Sequence, residues 1–321
     1  MRALIVGVDG QDGSILWEQL ETLDFTLLGL SRNRVRTRGV DWQYHVDITD
    51  ELHVRKAVAD FQPHQIYFLA GSSHSSQDPA SCLEDAWTEG WMIHVKAFKA
   101  FLDALRQTRA TARLFYASSS RVFGKAESPM QDENTPLKPV CLYGITKATA
   151  MMLAKLYRET HGLWISCGIL YNHESPRRKS DFLSQKVARG LARIKNQLEE
   201  HLVVGSLKAR ADWGYAGDYT RAMRMILACD EPRDFVIATG ETHSVGEMIE
   251  IAAECLNIDW RSAVIEDASL FQREPLMLCG DSTLLRNLTG WLPAMSFREL
   301  IRTMVHTAEQ RASPATKLAT V

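Results

Sequence analysis

Short apolar runs alternate with longer amphipathic stretches through the first half of the chain. Arg2-Ala-Leu-Ile-Val-Gly7, the run FTLLGLS ending at Ser31, a stretch ending at His45-Val46-Asp47-Ile48, QIYFLAG (65–71) and LFYA before Ser118 have the length and flanks of strands. QIYFLAG is near-continuous in apolar residues, as a parallel strand covered on both faces should be. Helical patterns lie between them, including one near 84–107 and another after Lys147 (ATAMMLAKLYRETH). This alternation predicts a right-handed, doubly wound parallel sheet of the α/β class. Beyond LWISCGILY the pattern shortens. HLVVGSLKARADWGYAGDYTRAMRMIL reads as strand, loop and helix, and DFVIATGETHSVGEMIEIA as a short strand and a helix, with Ser244 and Glu247 at capping-box spacing. LCGDSTLLRNLTGWLPAMSFRELI closes a smaller domain. The expected division is a Rossmann-type unit at 1–168, with about 212–240 returning to it, a smaller α/β substrate-binding unit at 169–311, and a flexible tail at 312–321.

The first strand ends in Gly7, and Gly10 and Gly13 follow at even spacing before an amphipathic helix. Glycines are needed where backbone turns tightly against a pyrophosphate, and the helix amino terminus offers free N–H groups to it. A dinucleotide site is therefore expected here. At the end of the second strand, where an NAD-type site usually places Asp or Glu, stand Ser31 and Arg32, with Arg34, Arg36 and Arg38 close behind. That suits a 2′-phosphate and favours NADP(H). Asp47 could reach the adenine amino group. SSHSSQD, with Ser73 and His74, lies at the carboxyl end of the sheet, where ligands collect.

Tyr143 and Lys147, four apart at a helix start, share one face. A nearby ammonium favours the phenolate, so the tyrosine could trade a proton closer to neutrality than its free value of about 10. The cluster Ser118-Ser119-Ser120 could supply a hydroxyl to the same reacting oxygen. Further on, Arg177 and Arg178 suit bidentate capture of phosphate oxygens, and Asn172 can bond a sugar hydroxyl.

Composition narrows the partners. A chain of 321 residues with net charge −2 and 45% hydrophobic residues has ample core and no general nucleic-acid or membrane surface. No apolar run approaches the roughly 18 residues a membrane span needs. Six scattered cysteines without CxxC suggest reduced, mostly buried thiols in a cytoplasmic protein. Met1 leads at once into a strand pattern, so no targeting segment is expected.

The early glycine triplet, the serines after the fifth strand and the Tyr143/Lys147 pair resemble the extended short-chain dehydrogenase/reductase family. GVDGQDGS, YNHESPRR, ADWGYAGDY and FVIATGETHSV resemble, more narrowly, the GDP-mannose 4,6-dehydratase family over nearly the whole chain. The resemblance implies that Tyr143 is the acid/base, that Lys147 lowers its pKa and holds the nicotinamide ribose, and that Ser119 or Ser120 steadies the reacting oxygen. It implies NADP(H) contacts at Gly7, Gly10, Gln11, Asp12, Gly13, Arg32, Asp47, Ile48, Leu69, Ala70, His173 and Arg178. A GDP-linked sugar would meet Ser73, Asn172, Arg177, Lys186, the stretch 205–213 with Gly205 and Arg210, and Arg273-Glu274. No metal is expected. A homodimer or homotetramer would form through the helices near 84–107 and 143–159.

The sequence also departs from that family. The dehydratase reaction moves hydride from C4, eliminates water across C5 and C6, and returns hydride to C6. The elimination uses a glutamate just after the family's Ser/Thr pair, and this chain has Arg121 there. A guanidinium cannot accept a proton. The family's threonine is Ser119, the arginine before its Asp-Trp-Gly is Ala211, so that one phosphate contact is either missing or taken over by Arg210, and the arginine loop after strand two keeps only part of the pattern. Hydride chemistry at C4 survives, with reduction of a 4-keto-6-deoxy GDP-sugar as the leading expectation. The alternatives are a dehydratase whose acid/base has moved to Glu127, Asp132 or Glu133, and a non-catalytic NADP/GDP-sugar-binding partner subunit.

Overall fold

The computed structural model describes residues 1–71, 83–270 and 276–312. Strand β1 (Arg2–Val6) runs into helix α1 (Gln11–Glu21), and β2 (Thr26–Leu30) turns back through β3 (Val35–Arg38) before α2 (Glu51–Phe61) and β4 (Gln65–Phe68). Helix α3 (Leu83–Gly90) continues through a π-helical stretch (Trp91–Ala97) into α4 (Phe98–Thr108). Next come β5 (Arg113–Ala117), a 3-10 turn (Ser120–Phe123), α5 (Leu142–His161) and β6 (Ile165–Leu170). The second half adds β7 (Asn172–Glu174), α6 (Leu183–Lys195), β8 (Leu202–Val204), β9 (Arg210–Tyr215), α7 (Ala216–Ile226) and β10 (Phe235–Ile237). It ends with β11 (Thr242–Ser244), α8 (Val245–Leu256), α9 (Trp260–Ala263), β12 (Val264–Glu266), α10 (Thr283–Thr289) and α11 (Phe297–Ala312).

The main sheet has seven strands in the order β10-β6-β5-β4-β1-β2-β3. The doubly wound α/β sheet that the alternation predicts is present, its strands parallel except at one edge. That edge corrects the sequence reading in two places. The arginine segment is a strand: after a turn closed by Ser31 N donating to Arg34 O, Val35–Arg38 pairs antiparallel with β2. Charged side chains suit an edge strand, which needs only one partner and resists adding another. Residues His45–Ile48 form no strand. Asp47 instead accepts from Thr49 N at 2.8 Å, and Asp50 caps α2. The helical pattern near 84–107 also departs from plan, since its middle is π-helical around His94.

The central strands are buried throughout, with Leu4, Ile5, Val6, Ile66, Phe68, Phe115 and Tyr116 at the heart of the larger core. Segment 278–291 joins this core through Leu278, Leu285 and Trp291. A second core lies among α6, α8 and α11, where Leu191, Met248, Ile249, Ile301 and Met304 pack together. It is flanked by a three-stranded sheet, β11-β9-β7, and a two-stranded one, β12-β8. The capping box at Ser244 and Glu247 forms as its spacing predicts. Among the described cysteines only Cys167 is buried and all are free thiols, so burial of most of them is not met. No helix among the described residues is long and apolar enough to cross a membrane.

Candidate functional site

At the carboxyl ends of β1 and β4 the glycine loop leaves no room for side chains. Gly7 has φ +94°, and a Cβ on it would sit 2.8 Å from Ala70 N. A Cβ on Gly13 would lie 2.2 Å from Gly7 O, and one on Gly10 3.3 Å from the same oxygen. Leu69 and Ala70 therefore form the wall against which the loop turns. Gly10 caps α1 without a side chain, so the first-turn N–H groups face the cradle. This cradle fits a pyrophosphate.

The side chains beside the loop are engaged elsewhere. Gln11 donates to His173 O at 2.9 Å and accepts from the Ser175 hydroxyl at 2.8 Å. His173 faces acceptors with both ring nitrogens, Tyr171 O at 2.7 Å and Asp12 Oδ2 at 2.9 Å. Burial opposes the imidazolium, but Asp12 more than offsets it and His173 titrates above its ordinary value. Burial opposes the Asp12 charge in the same way, and the His173 ring brings that carboxyl below the usual range. Gln11, Asp12 and His173 thus fasten α1 to β7, leaving the loop backbone to face a ligand.

The basic cluster is not the open phosphate pocket that its spacing suggests. Arg34 holds Asp9 through Nε and Nη2, the latter at 2.6 Å. Arg36 lies 4.1 Å over the Trp17 ring, and Arg38 donates to Phe25 O at 2.8 Å. Only Arg32 is loosely held, 3.6 Å from Glu89. Asp47 gives one oxygen to the Thr49 hydroxyl at 2.7 Å, and Ile48 packs against the larger core.

The proton-transfer residues converge at the end of β5. The Ser119 hydroxyl accepts from Arg121 N at 3.3 Å and hydrogen-bonds the Tyr143 phenol. Ser118 is turned away toward Met151 Sδ at 3.0 Å, and Ser120 is buried at the start of the 3-10 turn. Of the two serines expected to serve the site, Ser119 is the one at the phenol. Lys147 is buried, donates from Nζ to Ala117 O at 2.7 Å, and stands 5.7 Å from the Tyr143 ring centre. Burial brings the Lys147 ammonium down to about 7. The expected lowering of the phenol does not occur. Burial raises Tyr143 above its ordinary value, although Ser119, Arg178 and Arg121 oppose the rise. Burial leaves Lys147 only partly ionised near neutrality, so its charge is a weak lever on the phenol.

Sequence reasoning missed His94. It is fully buried on the π-helical stretch, its ring edge-on to Tyr143 at 5.3 Å between centres. Thr146 donates to Tyr143 O at 3.0 Å, so its hydroxyl must accept from His94 Nδ1, 2.8 Å away. Burial, with Lys147 nearby, pushes His94 down to about 2, so the ring is neutral. A lone histidine in an apolar helical pattern carries no signature of its own.

Arg121 is exposed, and among the described residues its guanidinium has no hydrogen bond or ion pair. The loop acids are all occupied. Glu127 pairs with Lys138 at 2.7 Å, Asp132 accepts from Asn134 N at 3.1 Å, and Glu133 accepts from Val236 N at 2.7 Å. Glu133 titrates above its ordinary value because it is largely desolvated.

The residues expected to meet a nucleotide-sugar divide. Asn172 donates to Asp212 O at 3.2 Å. Arg177 is engaged by α1: its Nη2 donates to both oxygens of Glu18 at 2.8 Å. Arg178 stacks on Phe182 at 3.6 Å, near Glu174 at 3.3 Å, with its buried Nε lacking a hydrogen bond. Its charge reaches both Tyr143 and Asp12. Lys186 is half-buried on α6 and Gly205 is buried after β8. Arg210, beside Ala211, donates to Thr242 O at 2.6 Å and pairs with Glu247. Asp212, fully buried, accepts from Thr239 N, Gly240 N and Gly280 N at 3.0–3.3 Å, while Trp213 stacks on Phe297. Ser73, His74, Arg273 and Glu274 lie outside the described residues.

A family model described as GDP-mannose 4,6 dehydratase matches residues 4–304. The chain is 34% identical to GDP-mannose 4,6 dehydratase 2 of Arabidopsis thaliana, covering 94% of this chain and 85% of the relative. It is 33% identical to a GDP-mannose 4,6-dehydratase of Vibrio cholerae, covering 94% and 92%. The solved structure of RMD from Pseudomonas aeruginosa complexed with NADPH superposes with a TM-score of 0.82 at 21% identity, over 97% of this chain and 99% of that one, a likeness of fold.

Proposed function

This chain belongs to the GDP-mannose 4,6-dehydratase family, and we propose that within it the protein uses NADP(H) for hydride transfer at C4 of a GDP-linked sugar, reducing a 4-keto-6-deoxy intermediate without the 5,6-elimination. The observation that carries this reading is the pairing of a Ser119/Tyr143/Lys147 set with a guanidinium at Arg121, without an ion pair among the described residues, where elimination needs a carboxylate. The occupied Glu127, Asp132 and Glu133 leave no loop acid to replace it. Losing a general acid or base costs roughly 10² to 10⁴ in rate, enough to separate the two chemistries.

The cradle at Gly7, Gly10 and Gly13 would hold the dinucleotide pyrophosphate, and NADPH when bound supplies hydride to the 4-keto carbon. Tyr143 gives its phenolic proton to the forming alkoxide. A phenol raised by burial is fully protonated at neutral pH, which suits a donor. Ser119 orients the carbonyl oxygen through the hydroxyl that already bonds Tyr143. Lys147, near half-ionised at neutrality, can pass a proton inward after the phenol gives up its own. The cations Arg121 and Arg178 stabilise the phenolate left behind.

Incubation of the purified protein with GDP-4-keto-6-deoxymannose and NADPH should give loss of the reduced-cofactor absorbance and a 4-hydroxy product. No loss of absorbance overturns the reading. The curated relatives favour a second reading, dehydration itself, in which GDP-mannose yields a 4-keto product with no net cofactor consumption.

A further inference from the structure

We propose that the Asp9–Arg34 pair is the selector for the adenosine 2′ position, and that Asp9 lets the chain hold NAD(H) as well as NADP(H). The proposal rests on the dinucleotide reading above. Gly7 N and Val8 N both donate to Leu30 O, at 2.8 and 3.2 Å, which lays the start of the glycine loop against the end of β2. Asp9 consequently stands close to Ser31, which helps hold its carboxyl down, although the two lie far apart in sequence. In sheets of this type a carboxylate at the end of the second strand takes the ribose hydroxyls, whereas an arginine takes a 2′-phosphate. Here the strand end itself has Ser31 and Arg32, but the glycine loop returns a carboxylate to the same place.

Both halves of the choice are present and joined. Arg34 grips Asp9 with Nε at 3.1 Å from each oxygen. The pair holds the Asp9 carboxyl below its ordinary range, so it is ionised at neutral pH. Arg36 and Arg38 are tied to Trp17 and Phe25 O, which leaves Arg34 and the loosely held Arg32 to meet a 2′-phosphate. The two side chains are 65% and 37% exposed, so the ion pair is worth little to the fold and opens at little cost. A 2′-hydroxyl can donate to Asp9 with Arg34 left in place. A 2′-phosphate must draw Arg34 to itself while facing the Asp9 charge, and that repulsion limits the preference for the phosphorylated cofactor.

Calorimetric titration of the full chain with NADP⁺ and with NAD⁺ tests this. The unmodified protein should bind both. Asp9→Asn should improve the affinity for NADP⁺ relative to NAD⁺ at least tenfold. Arg34→Ala should shift the ratio at least tenfold the other way, with NAD⁺ affinity within threefold of the starting value. Ratios unchanged within twofold in both variants, with circular dichroism confirming folding, overturn the selector while leaving the dinucleotide reading intact. Failure of the unmodified chain to bind either dinucleotide overturns both.

Discussion

In the loop from Gly7 to Gly13 side chains are missing where the chain turns and the backbone is presented, whereas in Asn172–Arg178 and Arg210–Gly214 the side chains are abundant and mostly engaged already. Arg177 is held by Glu18, His173 by Asp12, Arg210 by Glu247 and Asp212 by three backbone donors. Both regions carry distinctive phrases. The first is distinctive because its turns need glycine, and the second because its polar groups find partners within the fold. A rich set of charges in a motif is therefore no guide to how many of them face a ligand.

The largest effect should come from breaking the first region. Gly13→Ala places a methyl 2.2 Å from the backbone oxygen of Gly7, with no flexible side chain to yield. Dinucleotide binding should fall by at least a hundredfold, measured by calorimetry, and the loop should lose its form. Binding retained within tenfold would show that the cradle is not the phosphate site.

The second region should lose stability instead of ligand. Asp212→Ala strands Thr239 N and Gly240 N in a partly buried turn and Gly280 N in a buried one. Each unsatisfied donor costs about 1–3 kcal/mol, so denaturant unfolding should show a loss of about 3 kcal/mol or more. Dinucleotide affinity of the folded fraction should change little. A stable Asp212→Ala protein that no longer binds GDP-sugars would place the carboxylate at the ligand and reverse the comparison.

This contrast also explains how much the sequence discloses. The apolar parallel strands, the glycine turn and the Tyr143/Lys147 pair are legible because each follows from a local rule: apolar runs, a residue type imposed by backbone shape, and a helical spacing; the same rule misleads at His45–Ile48, which forms no strand. The edge strand at Val35–Arg38 is not legible, since its four residues satisfy no hydrophobic period and depend on β2 beside them. His94 and the Asp9–Arg34 pair are likewise invisible, because their partners come from other elements. The NHESPRR phrase gives no sign that Arg177 is engaged by Glu18, a partner 159 residues away.

The smallest expected effect sharpens that last point. Arg177 and Glu18 are 41% and 56% exposed, and exposed ion pairs contribute about 0.2–1 kcal/mol. Arg177→Ala should therefore move the unfolding midpoint only slightly, and it should leave GDP affinity within about threefold if the arginine serves mainly to hold the loop against α1. A double-mutant cycle with Glu18→Ala separates the two roles. Coupling on stability with none on GDP affinity keeps Arg177 as a fastener. A loss of GDP affinity beyond tenfold in Arg177→Ala, unchanged by Glu18→Ala, would mean that the side chain leaves Glu18 for a phosphate, and that the charges of the second region are held in reserve for the ligand.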